Sequence, residues 1–139
     1  MIMITIRENT ICIEDYLSIR KKVNWPVLQE EQARKALASS IVVVGAYENE
    51  QLVGMGRVVG DGAVICYIQD LIVEPSMQKS GVGTMILHYL TEYVQQLKQP
   101  DSTMMLCLMC AKGREVFYEK HGFIARPTDK LGPGMIQYL

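Results

Sequence analysis

The sequence predicts one mixed α/β domain, in which a mostly antiparallel sheet is flanked by about four helices. Apolar, β-branched segments at residues 41–47, 52–59 and 63–73 are separated by short polar or Gly-containing turns, which is typical of an antiparallel meander. Two segments with helical character come before this meander and two come after it. The 139 residues are one domain's worth of chain, so we expect a single domain over residues 1–139.

Each predicted helix is recognised by apolar spacing or by strong helix-forming composition. These segments are residues 15–23, 29–38, 83–97 and 112–121. Pro26 disfavours a helical conformation at Trp25, so we expect a break between the first two helices. Gly122 is a good left-handed cap and should end the last helix.

Strands are expected before, between and after these helices along the sequence. Besides the meander, the segments that predict strands are residues 1–6, 103–110, 123–125 and 135–139. Residues 63–73 form a long segment for one strand, which indicates a bend or a β-bulge within it. The resulting order, β-α-α-β-β-β-α-β-α-β-β, is that of a meander followed by helical crossovers.

The composition is that of an ordinary folded domain, with 49% apolar and 21% charged residues. The formal net charge is −1, and the chain lacks the basic stripe that nucleic-acid binding requires. No apolar run approaches the ~20 residues that span a bilayer. Residues 1–7 lack the basic start and the cleavage site of a signal peptide. We therefore expect a cytoplasmic protein that has neither nucleic acid nor a membrane as a partner.

The cysteines Cys12, Cys66, Cys107 and Cys110 all lie in apolar stretches. Cys107 and Cys110 have the C-x-x-C spacing of a thiol-redox motif, but such a motif opens a helix, whereas this pair lies in a predicted buried strand. A zinc site would need a second pair of ligands. We expect reduced thiols packed in the core and no metal, with a thiol-redox protein as an alternative that requires accessible thiols.

A Gly-containing loop follows the last strand of the meander. After Pro75 it reads Gln78-Lys79-Ser80-Gly81-Val82-Gly83, and an amphipathic helix begins there. This arrangement places free backbone N–H groups at the positive end of a helix dipole, where an anion such as a pyrophosphate can bind. The alternative is a plain connector between a strand and a helix.

The spacing Gln-x-x-Gly-x-Gly after an apolar strand resembles the acetyl-CoA signature of the GNAT superfamily of N-acetyltransferases. A second segment, Val116-Phe117-Tyr118-Glu119-Lys120-His121-Gly122-Phe123, resembles the late helix-to-strand segment of that family. The interval between the two motifs and the order of elements over the whole chain are similar to those of small bacterial single-domain members.

The resemblance implies an N-acetyltransferase that moves the acetyl group of acetyl-CoA to the amine of a small molecule or peptide, by direct attack in a ternary complex. It also implies that the backbone of the last meander strand holds the pantetheine arm and that the loop holds the pyrophosphate. On this reading the donor-binding residues are Leu71, Ile72, Val73, Gln78, Lys79, Ser80, Gly81, Val82, Gly83 and Thr84.

The resemblance gives Tyr118 the role of general acid toward the coenzyme A thiolate; the alternative is a core aromatic beside Phe117. Members with a Glu or His base place it at positions that correspond here to Tyr67 or Gln69, and neither is a base at neutral pH. Both are expected to contact the substrate. Asp70 is the nearest carboxylate, and it is either catalytic or tied to backbone N–H groups.

Trp25 is expected either to contact the acceptor amine or to plug the space between the first two helices. Because the usual base is missing, a non-catalytic acyl-CoA-binding or sensing module of the same fold is the alternative function. The apolar segment 135–139 would need cover. The resemblance implies that such a terminal strand can be a dimer contact, so a homodimer is one alternative and the oligomeric state stays open.

Overall fold

The computed structural model describes residues 3–139, which form two compact units. The sheet unit ends at Leu108, and the C-terminal unit spans Met109–Leu139. In the sheet unit the elements are β1 (Thr5–Glu8), α1 (Ile13–Lys22), α2 (Glu30–Ala38), β2 (Val42–Glu48), β3 (Gln51–Gly60), β4 (Ile65–Val73), a short 3₁₀ helix (Pro75–Met77), α3 (Val82–Leu97) and β5 (Met105–Leu108). The C-terminal unit contains α4 (Glu115–Glu119).

The sheet has five strands in the order β1-β2-β3-β4-β5. Each of the first four strands pairs antiparallel with its neighbour, and β5 pairs parallel with β4 after the crossover through α3. A mostly antiparallel mixed sheet with four α-helices confirms the predicted fold class. No helix in residues 3–139 is both long and apolar enough to cross a membrane.

Helices α1 and α2 cover one face of the sheet. Tyr16 and Ile19 of α1 and Ala33 of α2 are buried against apolar side chains of the strands. The strand residues in this cluster are Val43, Tyr47, Leu52, Met55 and Ile72. Helix α2 begins with a capping box between Gln29 and Gln32, which satisfies backbone N–H groups at its first turn.

Helix α3 packs on the opposite face, with Ile86, Leu87 and Leu90 fully buried. Gly54 and Gly56 of β3 allow this close approach. A β-carbon built at Gly54 would lie 2.8 Å from Ile86 Cδ1, and one built at Gly56 would lie 2.7 Å from Leu90 Cδ1. Such distances are shorter than van der Waals contact, so a side chain at either position would push α3 away from the sheet.

The predicted terminal strands at residues 123–125 and 135–139 are wrong, because neither segment forms a strand in the C-terminal unit. Between them the chain makes a turn in which Thr128 N–H donates to the Leu131 carbonyl. Apolar content alone indicated these strands, but a strand exists only where its backbone finds a pairing partner. The predicted first strand at residues 1–6 is observed from Thr5, and residues 1 and 2 lie outside the described part.

Candidate functional site

Strand β4 contains the expected bulge. Met55 pairs with Ile72, and Arg57 pairs with Gln69, so two steps along β3 correspond to three along β4. Asp70 lies within the extra step and has a φ of 56°, in the left-handed region. An extra residue of this kind kinks the strand and changes which face its side chains occupy.

The bulge brings the Asp70 side chain to the face covered by α1. Its carboxylate accepts hydrogen bonds from Tyr16 Oη at 2.5 Å, Arg20 Nη1 at 2.8 Å and Arg57 Nε at 2.7 Å. Gln69 Nε2 lies 3.4 Å from Oδ1. The Asp70 side chain has 0% exposure, and the Arg20 and Arg57 side chains have 10% and 12%. The non-catalytic alternative expected backbone N–H groups as partners of Asp70, whereas the observed partners are side chains.

Burial of the phenol raises the pKa of Tyr16 above its ordinary value, and the hydrogen bond to Asp70 is the next largest cause of this increase. Tyr16 therefore keeps its proton and donates a hydrogen bond to the carboxylate. Arg20 also lies over the Trp25 ring, 5.4 Å from its centroid, and donates to the Pro26 carbonyl at 3.0 Å. Trp25 is half-buried against the core on the α1 and α2 side, which favours its packing role.

The edge of β4 that faces β5 is paired only in the first half of the strand. Pairing with β5 runs from Ile65↔Met105 to Ile68↔Leu108 and ends there. Residues 69–73 have no strand on this side within residues 3–139. Tyr67 and Gln69 are half-buried, and the side chain of Ile72 is buried while its backbone belongs to this open stretch.

The loop after β4 ends in a helix start that no side chain caps within the described chain. Gly81 is the N-cap residue of α3, with a φ of 91°, and a β-carbon there would meet nothing within 4 Å. Lys79 also has a positive φ, of 66°. The loop residues Gln78, Lys79, Ser80, Gly81 and Thr84 are exposed, Gly83 is half-exposed and Val82 is buried. The backbone N–H groups of the first turn of α3 thus have no side-chain cap.

Gln78 and Ser80 use their side chains to shape this loop. Gln78 Nε2 donates to the Val73 carbonyl at 3.2 Å, which ties the loop to the end of β4. The Ser80 hydroxyl donates to the Met77 carbonyl at the end of the 3₁₀ helix.

In the C-terminal unit, Tyr118 lies on α4 within a group of aromatic rings. Its ring centroid is 5.0 Å from that of Phe117 and 5.9 Å from that of Phe123, both in edge-on geometry. Burial, with a smaller contribution from the Cys110 thiol, raises the pKa of Tyr118 to about 12. The phenol is therefore protonated throughout the physiological range, as a proton donor must be.

The four cysteines are free thiols. Cys66 is buried as expected, but Cys12 and Cys110 are exposed, so the expectation of core packing is wrong for these two. Burial raises the pKa of Cys107 and Cys110, which lowers their thiolate fraction and argues against a redox pair. Within residues 3–139, no group of three or more His, Cys, Asp or Glu residues is placed to bind a metal.

Sequence reasoning missed Arg57 and the part that Arg20 plays beside it. An Asp in an apolar strand signals that partners exist, but Arg20 is 50 residues and Arg57 is 13 residues away along the chain. Arg57 is paired beneath α2, where its Nη1 also lies 3.2 Å from Ser40 Oγ.

Comparisons with known proteins give one consistent family. Residues 39–125 match the family model described as an acetyltransferase (GNAT) domain. The uncharacterized N-acetyltransferase ycf52 of Pyropia yezoensis is 27% identical over 133 residues, which cover 84% of this chain and 74% of that protein.

Two solved structures share the fold over nearly their whole length. A probable acetyltransferase of unknown function from meticillin-resistant Staphylococcus aureus has a TM-score of 0.85 and 28% identity, covering 98% of this chain and 100% of that one. A GNAT-family acetyltransferase from Streptococcus pneumoniae has a TM-score of 0.83 and 29% identity, covering 99% and 98%. The chain therefore belongs to the GNAT family of acetyltransferases, and it is an acyltransferase.

Proposed function

We propose that this protein transfers the acetyl group of acetyl-CoA to the amine of a small molecule or peptide, by direct attack within a ternary complex. The observation that carries the proposal is the open edge of β4 beyond its bulge, together with the uncapped start of α3 that follows after a 3₁₀ helix and a short loop. An extended arm can pair with such an edge, and a pyrophosphate can bind at such a helix start.

The loop would hold the nucleotide end of the donor. The amides of the first turn of α3 have no side-chain cap, and they lie at a helix N-terminus, where the dipole favours negative charge. The exposed Lys79 adds a positive charge at the same loop. The residues that we assign to this end are Gln78, Lys79, Ser80, Gly81, Val82, Gly83 and Thr84.

The open edge of β4 would hold the pantetheine arm and the thioester. Backbone groups of Leu71, Ile72 and Val73 pair with the arm, and a backbone N–H near Ile72 donates to the thioester carbonyl. That donor stabilises the oxyanion which forms when the amine nitrogen attacks the carbonyl carbon. The tetrahedral intermediate then expels the coenzyme A thiolate as the C–S bond breaks.

Tyr118 would protonate the departing thiolate, as its counterpart does in many family members. Its raised pKa keeps the phenolic proton available at neutral pH. The phenolate that results regains a proton from solvent before the next cycle.

The acceptor amine must lose a proton, and we assign this step to water or to an amine that arrives neutral. Asp70 is a poor candidate for the base because its carboxylate is fully buried and both oxygens already accept hydrogen bonds. Tyr67 and Gln69 remain our proposed contacts to the acceptor, and Trp25 lies on the same side of the sheet.

Calorimetric titration with acetyl-CoA is the first test. We expect a dissociation constant in the micromolar range, about −8 kcal/mol, and release of coenzyme A when a panel of small amines and peptides is added. Binding without release for any amine would favour the acyl-CoA-sensing alternative. No binding to a folded sample up to millimolar concentration would contradict both functions.

We also propose a homodimer, supported by the exposed apolar C-terminal segment. Met135 and Tyr138 have exposures of 88% and 91%, and Ile136 and Leu139 are exposed as well. An apolar patch of this kind is usually covered by a partner. Sedimentation equilibrium would show a monomer if the proposal is wrong. The cytoplasmic location and the lack of nucleic-acid and membrane partners stay predictions.

A further inference from the structure

We propose that Asp70 is a positioning residue: with Arg20 and Arg57 it holds the bulge of β4 in the shape that presents the backbone of residues 71–73 to the pantetheine arm. This inference rests on the proposed function. It gives the buried carboxylate a role that differs from that of a catalytic base, since it acts through the strand and not on the substrate.

The backbone at Asp70 is unusual for its place in the fold. The other non-glycine residues with positive φ lie in turns and loops, whereas Asp70 lies inside a strand and is 3% exposed. They are Asn9, Asn24, Asn49, Glu50, Lys79 and Asp101. A left-handed conformation in a strand costs free energy and persists only where surrounding contacts hold it.

The contacts that hold Asp70 come from three different elements. Tyr16 and Arg20 belong to α1, Arg57 belongs to β3, and Asp70 itself belongs to β4. A buried carboxylate is unfavourable unless it is paired and hydrogen-bonded, and here each oxygen accepts from a guanidinium group. The carboxylate therefore links α1, β3 and β4 at the residue where the register between β3 and β4 shifts.

The position of Asp70 in β4 connects these contacts to the binding of the pantetheine arm. Pairing with β5 ends at Ile68, and the normal register with β3 resumes at Ile72. Asp70 lies between these two points, directly before the residues whose backbone is open on the β5 side. If the bulge relaxed, residues 71–73 would shift relative to β3, while the start of α3 would keep its own geometry, because Val82 and Ile86 pack against β3 at Gly54.

That separation between strand and loop suggests a test with two ligands. Coenzyme A contains both the nucleotide and the pantetheine arm, whereas 3′-phospho-ADP is the nucleotide half alone. Both are titrated calorimetrically into the wild-type protein and into Asp70→Asn, which keeps the side-chain shape and tolerates a positive φ. The matched control is Glu50→Gln, which removes the charge from an exposed carboxylate that pairs with Arg7.

We expect Asp70→Asn to weaken coenzyme A binding by at least about tenfold, since small misplacements of a binding group are costly, and to change 3′-phospho-ADP binding less than twofold. Glu50→Gln should leave both affinities unchanged. Equal losses for both ligands, or no loss for coenzyme A, would overturn the proposal.

Two further outcomes also decide the proposal: a variant that does not fold, and a wild-type protein that binds neither ligand. If Asp70→Asn does not fold, Tyr16→Phe replaces it, because it removes one hydrogen bond from the same carboxylate and keeps both guanidinium groups. The same selective loss is expected, and its absence would overturn the positioning role. If the wild-type protein binds neither ligand, the proposed function itself fails and this inference fails with it.

Discussion

Tyr16 Oη lies 2.5 Å from Asp70 Oδ2 and joins helix α1 to strand β4 across 54 residues of the chain. The phenol is fully buried and so is the carboxylate. A hydrogen bond to a charged group in such surroundings is among the stronger ones in proteins, since neither partner can turn to water if the other is removed. The bond should therefore contribute measurably to the free energy of unfolding.

Replacing Tyr16 by Phe should lower the free energy of unfolding by about 1.5–3 kcal/mol. The matched control is Tyr89→Phe, which also removes a phenol that donates to a carboxylate, but on the surface at the exposed Glu8. We expect the control to change stability by less than about 0.5 kcal/mol. Urea denaturation measures the free energy of unfolding of both variants. Equal losses would show that the buried hydrogen bond stabilises the fold no more than the exposed one does.

The pKa of Tyr118, raised to about 12 by burial, predicts a specific alkaline behaviour. The folded protein holds this proton more tightly than the unfolded chain, whose tyrosine pKa is about 10. The stabilising contribution is thus fully present below pH 10 and is lost as the pH rises through about 12. The difference in phenolate absorbance between wild type and Tyr118→Phe should show this titration, and a midpoint near 10 would contradict it.

Tyr118→Phe should reduce kcat by about 100-fold if the phenol protonates the leaving thiolate, which is the lower end of the usual effect of a general acid. The affinity for acetyl-CoA should change little, because Phe keeps the aromatic packing with Phe117 and Phe123. Tyr138→Phe, at an exposed tyrosine, is the control and should leave kcat unchanged. The assay is coenzyme A release, and an unaltered kcat in Tyr118→Phe would remove the proposed acid.

The elements with a strong local pattern were predictable from the sequence. The predicted helix at residues 83–97 is observed at Val82–Leu97, and the three meander strands are found within two residues of their expected ends. Their hydrophobic periods are properties of short windows, so no knowledge of distant residues was needed.

The features that depend on distant partners were not predictable. The length of the segment at residues 63–73 indicated a bulge, but only the register with β3 places it at Asp70. The donors to that carboxylate come from another helix and another strand, which a local pattern does not reveal. For the same reason the apolar segment 135–139 was mistaken for a strand, since pairing is a non-local property.

Gly54 offers a test of the close packing between β3 and α3. An Ala β-carbon there would lie 2.8 Å from Ile86 Cδ1, 3.0 Å from Val82 Cγ1 and 3.2 Å from the Ile72 carbonyl oxygen. Ile86 and Val82 are buried, so their side chains have little room to yield. The carbonyl belongs to the strand that we assign to the pantetheine arm. We therefore expect Gly54→Ala to lower the free energy of unfolding by about 1–3 kcal/mol.

The matched control for Gly54→Ala is Gly132→Ala, where an added β-carbon would meet nothing within 4 Å. We expect Gly132→Ala to leave thermal stability unchanged or slightly raised, because Ala reduces the conformational freedom of the unfolded chain. Since Val82 begins the helix at the proposed pyrophosphate site, Gly54→Ala should also weaken acetyl-CoA binding, measured at a temperature where the variant is folded. Wild-type stability and affinity in Gly54→Ala would mean that α3 can move away from β3 without cost.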